Sequence, residues 1–202
     1  MIARWLLLLS SCTALSTQLL GAELGRPVLP NVILMMADDM GIGDTSAYLG
    51  VRMGPNAEPV ELTQDTPQLK AFAQEAVIFN NAYAPASMCS STRYSLLTGR
   101  FAHRSYLKQQ AWLPHGPNTP MIQRALKTLP EMLQGRGYRT AAIGKYHVGM
   151  EFDDGSGKPA KNFYYEDVEF TRPVLDGPTH HGFDEFFGVP GNTEDSLDTE
   201  PR

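Results

Sequence analysis

The chain opens its globular part with an unbroken apolar run, Val32-Ile33-Leu34-Met35-Met36, after a loop containing Pro27 and Pro30. A run without alternation predicts a strand, Asn31 to Ala37, buried on both faces of a parallel sheet. It ends in Asp38-Asp39, with Gly41 and Gly43 following. Unpaired buried carboxylates are expensive, so these acids belong at the carboxyl edge of the strand, where open α/β sheets place their sites. Thr66-Pro67 then reads as an N-cap followed by proline at the first helical position, and Leu69, Phe72, Ala73 and Ala76 recur at i, i+3, i+4 and i+7. The spacing predicts an amphipathic helix from Pro67 to Ala76. Val77 to Ala84 reads as a short strand, and Ser90 to Thr98 as a helix stopped by Gly99, which places Cys89 at a helix start. Thr128-Leu129-Pro130-Glu131 has capping-box spacing and opens a helix through Gln134, ended by Gly135 and Gly137. Arg139 to Ile143 is the next strand. From Glu151 to Thr179 the chain is rich in Gly, Pro, Asp and Lys, which predicts a surface loop or a short hairpin around Phe163 to Phe170. Alternating strands and helices predict an α/β fold with a mostly parallel sheet.

The first 22 residues change the picture of where the protein works. Arg4 supplies a positive start, Trp5 to Leu9 begins an apolar stretch, and Gly21-Ala22 offers small residues for cleavage, so residues 1–22 read as a signal peptide and the mature chain as exported, periplasmic or secreted. A lipoprotein box with Cys12 acylated is the alternative. No other segment is apolar enough to span a membrane. Length of 202 residues, 42% hydrophobic residues and a net charge of -5 describe an ordinary globular protein. Clustered Lys and Arg are lacking, which argues against nucleic acid as a partner. The two cysteines, at 12 and 89, make no disulfide framework, and cleavage after residue 22 leaves Cys89 alone.

The chemistry concentrates in Cys89-Ser90-Ser91-Thr92-Arg93-Tyr94-Ser95-Leu96-Leu97-Thr98-Gly99-Arg100. This segment resembles the signature of the sulfatase family, C-x-P-S-R-x-x-L-L-T-G. The Asp38-Asp39 strand end, Gly144-Lys145-Tyr146-His147-Val148-Gly149 and Gly182-Phe183-Asp184-Glu185-Phe186-Phe187-Gly188 resemble further sulfatase motifs in the same order. The resemblance implies an alkaline-phosphatase-like α/β fold, of which residues 23–202 are the amino-terminal part of the catalytic domain. The sheet is then expected to be incomplete, because the chain stops at Glu200-Pro201-Arg202 in a polar stretch. Family members run longer and take a second metal-ligand pair, a later His and a further Lys from downstream sequence. A fragment of this kind is expected to bind metal weakly, to be poorly active or inactive alone, and to expose apolar edges and faces.

By the same resemblance the protein is a sulfuric ester hydrolase acting on a sulfated small molecule or polysaccharide. Cys89 is oxidised by a formylglycine-generating enzyme to formylglycine, whose hydrated aldehyde attacks sulfur with one hydroxyl and expels sulfate with the other. Asp38 and Asp39 resemble ligands of a divalent cation, usually Ca2+, which the modified residue 89 also ligates. Arg93 lies near the formylglycine and the ligands as a fixed positive charge; Lys145 contacts the sulfate, and His147 holds or deprotonates a hydroxyl of the aldehyde hydrate. The residues agree on physical grounds. A helix start presents free N–H groups and the positive end of the helix dipole to an anion, adjacent acids offer hard oxygens to a hard cation, and Lys145 and His147, two apart at a strand end, point to one side. One departure is Ser91, where the motif has Pro; Ser91 or Thr92 is expected to cap the helix instead. Other readings are an unmodified, inactive relative that only binds sulfated ligands, and a phosphatase, phosphodiesterase or phosphoethanolamine transferase of the same fold. His180-His181 reads as surface, His103 and His115 have no partner at ligand spacing, and Trp112 and Pro114 read as loop packing.

Overall fold

The computed structural model describes residues 29–51, 55–56, 58–108, 119–162 and 165–191. The signal-peptide and Cys12 readings, Trp112, Pro114, His115 and Phe163 lie outside those residues. Two compact units divide the chain, Met1–Met40 and Gly41–Arg202.

In the first unit, residues 31–37 carry no strand pairing, and Ile33 and Met35 are 85% and 82% exposed. The strand expected there is therefore not formed among the described residues. An apolar run becomes a buried strand only when neighbouring strands pair with its backbone and neighbouring layers cover both its faces. Asp38 and Asp39 close this segment in a bend, both exposed, with Asp39 at φ 57°.

The second unit begins with two 3-10 turns, Ile42–Asp44 and Ser46–Tyr48. Helix α1, Pro67–Glu75, has the expected limits and the expected proline near its start. Thr66 precedes it but makes no side-chain cap, because its hydroxyl accepts the Ser46 N–H at 2.7 Å instead. Leu69 and Phe72, the intended core face of α1, stay exposed. Val77 to Phe79 are likewise exposed and unpaired, so the strand expected at 77–84 is not formed among the described residues.

Helix α2 is Cys89–Thr98, ended by Gly99 in the left-handed region at φ 66° with its N–H bonded to the Ser95 carbonyl. Helix α3, Leu129–Gln134, opens with the expected capping box: the Thr128 hydroxyl accepts the Glu131 N–H and the Glu131 carboxylate accepts the Thr128 N–H. The Thr128 hydroxyl also donates to the His181 carbonyl at 2.7 Å, which ties the helix start to a distant turn. Strand β1, Ala141–Lys145, starts two residues later than the sequence pattern suggests and runs two residues further. It pairs in parallel with β2, Glu185–Val189, in the register Ala141 with Glu185 through Lys145 with Val189. Gly144 and Gly188 face each other in that register, and a Cβ on Gly188 would sit 1.8 Å from the Gly144 carbonyl oxygen. The strands approach this closely only because Gly188 has no side chain, whereas a Cβ on Gly144 would meet nothing within 4 Å.

Between the strands, Glu151 to Thr179 is a loop stapled by two antiparallel bridges, Glu151 with Asp176 and Asp153 with Pro159. The described part of the expected 163–170 hairpin is a series of turns, with the Val168 N–H bonded to the Tyr165 carbonyl. The core gathers Tyr94 from α2, Ala102, Met121 and Ile122, and Tyr146, Val148 and Met150 from the chain leaving β1. It therefore lies directly beneath the two motif segments that carry the candidate chemistry.

Candidate active site around residue 89

Cys89 is the first residue of α2, half-buried, with Met88 before it in extended conformation and no side chain capping the helix. The capping expected of Ser91 or Thr92 does not occur. The Thr92 hydroxyl donates to the Ala86 carbonyl at 2.6 Å, and the Ser91 side chain is turned into the protein, 7% exposed. Both are inside the first turn rather than ahead of it, where a cap has to sit. Ser95 and Thr98 return their hydroxyl protons to the carbonyls of Ser91 and Tyr94, which lets a serine-rich helix pack against the core.

The Cys89 sulfur stands 3.2 Å from Nδ1 of His147. His147 is 2% exposed and arrives by an unusual route. β1 ends at Lys145, but its pairing to β2 continues as backbone hydrogen bonds from Tyr146 to Val189 at 3.0 Å and from His147 to Pro190 at 2.9 Å. His147 itself is in the left-handed region, φ 50°. A residue with a Cβ pays about 1–2 kcal/mol for that conformation, and such residues concentrate where the surrounding structure holds a functional group in place. The alternation that would put Lys145 and His147 on one side of an extended strand therefore stops at Lys145, and the turn at His147 carries the imidazole to residue 89.

The chain is held in that turn from behind. Met121 N–H bonds to the Val148 carbonyl at 2.8 Å, and Gly149, at φ +86°, passes so close to Thr119 and Pro120 that a Cβ would lie 2.6 Å from the Thr119 carbonyl oxygen. Tyr146 is buried and stacks edge-on to Phe186 of β2; burial, with a smaller contribution from the Asp176 charge, pushes its phenol well above the usual range, so it stays neutral. From the opposite side Arg93, one turn into α2, donates from its guanidinium to the Lys145 carbonyl. α2 and the end of β1 are thus joined at two points, by Arg93 to Lys145 and by Cys89 to His147. A nucleophile position, an imidazole within hydrogen-bond reach and a fixed cation at a helix start are the parts an anion-directed substitution needs.

Of the residues singled out in the sequence, the structure brings together Cys89, Arg93, Lys145 and His147. Asp38 and Asp39 belong to the first unit. His103 is exposed and stacks on Phe101, with ring centroids 5.7 Å apart. His181 is a correction: it is 2% exposed, its Nε2 2.8 Å from Asp176 Oδ1, not on the surface. Residues 178–181 form a 3-10 turn closed by Gly182 at φ 92°, not an extended chain, so His180 and His181 do not simply diverge. Burial lowers the His181 pKa and the Asp176 carboxylate opposes that shift. Arg124 binds the other Asp176 oxygen through Nε at 3.0 Å, and the Asp176 carbonyl accepts the Glu151 N–H. This network anchors the chain just beyond Gly149, a supporting role with no local motif to announce it.

Comparison with known proteins agrees with the motifs. The sulfatase family model matches residues 30–201. Pig N-acetylgalactosamine-6-sulfatase is 34% identical over 93% of this chain, human arylsulfatase H 33% over 82%, and mouse steryl-sulfatase 33% over 81%. The chain spans 30%, 25% and 22% of those three proteins. A solved structure described under the metabolism of multiple glycosaminoglycans by Bacteroides thetaiotaomicron superposes with a TM-score of 0.58 at 28% identity, covering 76% of this chain and 27% of the other. The parallel strand pair with its helices is the partial α/β arrangement that this likeness carries. On the family match and on these relatives together, the chain belongs to the sulfatase family.

Proposed function

We propose that the protein is the amino-terminal part of a sulfuric ester hydrolase of the arylsulfatase type, with its reaction centred on residue 89. The observation that carries this reading is the 3.2 Å approach of the Cys89 sulfur to His147 Nδ1 at the first residue of α2. Formylglycine made from Cys89 supplies a hydrated aldehyde, one hydroxyl to attack sulfur and one to release sulfate. His147, whose Nδ1 lies 3.2 Å from the Cys89 sulfur, holds the proton of the group at position 89. Arg93, fixed by its bond to the Lys145 carbonyl, keeps a positive charge at the helix start, where it and the N–H groups favour an anion. Lys145 supplies a second cation for the sulfate oxygens at the end of β1.

Asp38 and Asp39 fit a hard divalent cation such as Ca2+ by donor chemistry, being adjacent exposed carboxylates at a bend. Among the described residues no set of three or more His, Cys, Asp or Glu gathers in a metal-ligand arrangement, so these two are a partial donor set. When bound, such a cation supplies Lewis-acid and charge-neutralising chemistry.

Export through cleavage after residue 22, and maturation by a formylglycine-generating enzyme, complete the proposal. Ser91 in place of proline favours one second reading, an unconverted relative that binds sulfated ligands without turnover. The test is hydrolysis of an aryl sulfate against the matching aryl phosphate by the full chain and by Cys89→Ala. The hydrolase reading expects sulfate release that depends on Cys89 and outpaces phosphate release. Faster phosphate release would favour a phosphatase, and no release of either would leave the binding-only reading.

A further inference from the structure

We infer that Asp176 is a positioning residue for the contact between residue 89 and His147, holding the chain on both sides of the His147 turn through Tyr146 and Glu151; this deepens the hydrolase reading and rests on it for what the contact does. A buried carboxylate is costly unless it is paired, and Asp176, 7% exposed, is paired at both oxygens. Arg124 Nε donates to Oδ2 at 3.0 Å, and His181 Nε2 stands 2.8 Å from Oδ1. Burial favours the neutral form of His181 against the pull of the Asp176 charge, so Nε2 carries the proton and donates it, a carboxylate being an acceptor only. One carboxylate thereby fastens the segment ahead of α3 and the 178–181 turn to a single point.

That point reaches His147 by two routes. Beyond the turn, the Glu151 N–H donates to the Asp176 carbonyl at 2.9 Å and the Leu175 N–H to the Glu151 carbonyl at 2.7 Å. Gly177, next to Asp176, lies so near Met150 that a Cβ there would sit 3.1 Å from Met150 Cε. Between His147 and this anchor runs only the tight passage of Gly149 along Thr119 and Pro120. Ahead of the turn is Tyr146, which directly precedes His147. Its hydroxyl is buried without a hydrogen-bond partner among the described residues, and burial and then the Asp176 charge push its pKa up. A buried O–H is expensive to leave unpaired, so its proton is drawn toward that carboxylate.

Lys145 and Arg93 are held by other means. β1 pairs Lys145 with Val189 of β2, and Arg93 donates to the Lys145 carbonyl from α2. Loss of the Asp176 charge therefore leaves these cations in place and displaces the imidazole, which lowers kcat and spares KM.

The test is a double-mutant cycle on the full chain, with Asp176→Asn, Tyr146→Phe and the two combined. Asp184→Asn is the control for destabilisation elsewhere, since that carboxylate accepts the Thr140 N–H at the opposite end of β1. In chain matured by a formylglycine-generating enzyme, Asp176→Asn should lower kcat for an aryl sulfate by about ten- to a hundredfold, with KM within about twofold. Tyr146→Phe should lower kcat less, and should add nothing in the Asp176→Asn background. Asp184→Asn should melt lower and keep both constants. A second readout needs no hydrolysis. In chain made without that enzyme, the rate of Cys89 alkylation by iodoacetamide in Asp176→Asn should move from the wild-type value to that of His147→Asn. A wild-type alkylation rate in either variant, or a Tyr146→Phe effect equal in both backgrounds, overturns the inference. Where Asp176→Asn does not fold, Tyr146→Phe decides: lower kcat at unchanged KM, or alkylation shifted toward His147→Asn, supports it, and wild-type values overturn it. Sulfate release with wild-type kcat and alkylation in Asp176→Asn sinks the positioning role alone. A shifted alkylation rate in a chain that hydrolyses no sulfate ester sinks the hydrolase reading and leaves the positioning role standing.

Discussion

Gly149→Ala tests whether the turn that delivers His147 is held as described. Gly149 is at φ +86°, a conformation that costs a residue with a side chain about 1–2 kcal/mol. Its new Cβ would also meet the Thr119 carbonyl oxygen at 2.6 Å, Pro120 Cα at 2.7 Å and Pro120 N at 2.9 Å. All three are backbone atoms, which cannot swing aside as a side-chain end does, so the overlap adds about 1–3 kcal/mol. The two effects sum to about 2–5 kcal/mol, and a protein of this size loses about 2–4 °C of melting temperature per kcal/mol. A drop on the order of 10 °C is expected. Gly157→Ala is the control: Gly157 is also at φ +86°, but nothing lies within 4 Å of its Cβ, so it pays the conformational cost only. Thermal unfolding followed by circular dichroism measures both variants. Since Met121 is bonded to the carbonyl of Val148, between His147 and Gly149, relief of the overlap must shift the His147 turn, and Gly149→Ala should also lose hydrolysis while Gly157→Ala keeps it. If the two alanine variants melt together, the close approach does not hold the turn and the reasoning is refuted.

Three further outcomes follow from the same structure. Thr128→Ala removes a helix cap and leaves the buried His181 carbonyl without its donor, which should destabilise the protein by about 2–4 kcal/mol in urea titration, with Thr128→Ser recovering most of it. His181 has a lowered pKa in the folded protein, so below the ordinary histidine value of about 6.5 the unfolded chain binds more protons than the native one; stability should fall as pH drops from that value toward the folded pKa, and His181→Gln should flatten this slope. His147→Asn keeps a residue that tolerates the left-handed region but lacks the imidazole, so melting should change little beside a loss of sulfate release of about a hundred- to ten-thousandfold.

What the sequence made legible was local chemistry. The capping box at Thr128 and Glu131, the glycine stop at Gly99 and the position of Cys89 at a helix start each depend on residues within a few positions, and each stands in the structure as expected. The apolar runs at 31–37 and 77–79 needed partners far away in the chain, and no described strand pairs with either. Ile143 and Phe187, paired in register on the sheet, are 83% and 81% exposed for the same reason. The chemistry was visible at Cys89, Arg93, Lys145 and His147 because motifs mark them, but the means of bringing them together was not. The left-handed turn at His147, the buried Tyr146 and the Asp176–His181 pair behind it depend on packing between segments that no spacing rule connects. His180-His181 misled for a related reason: two adjacent histidines diverge on an extended chain, but in a 3-10 turn the second is carried inward to Asp176.

Mass spectrometry of the peptide spanning residue 89, taken from chain produced beside a formylglycine-generating enzyme, examines the central claim at the atom on which it turns. The account predicts loss of the Cys89 sulfur and a mass matching an aldehyde or its hydrate. An intact thiol at residue 89 in a preparation that still releases sulfate from its esters would contradict it.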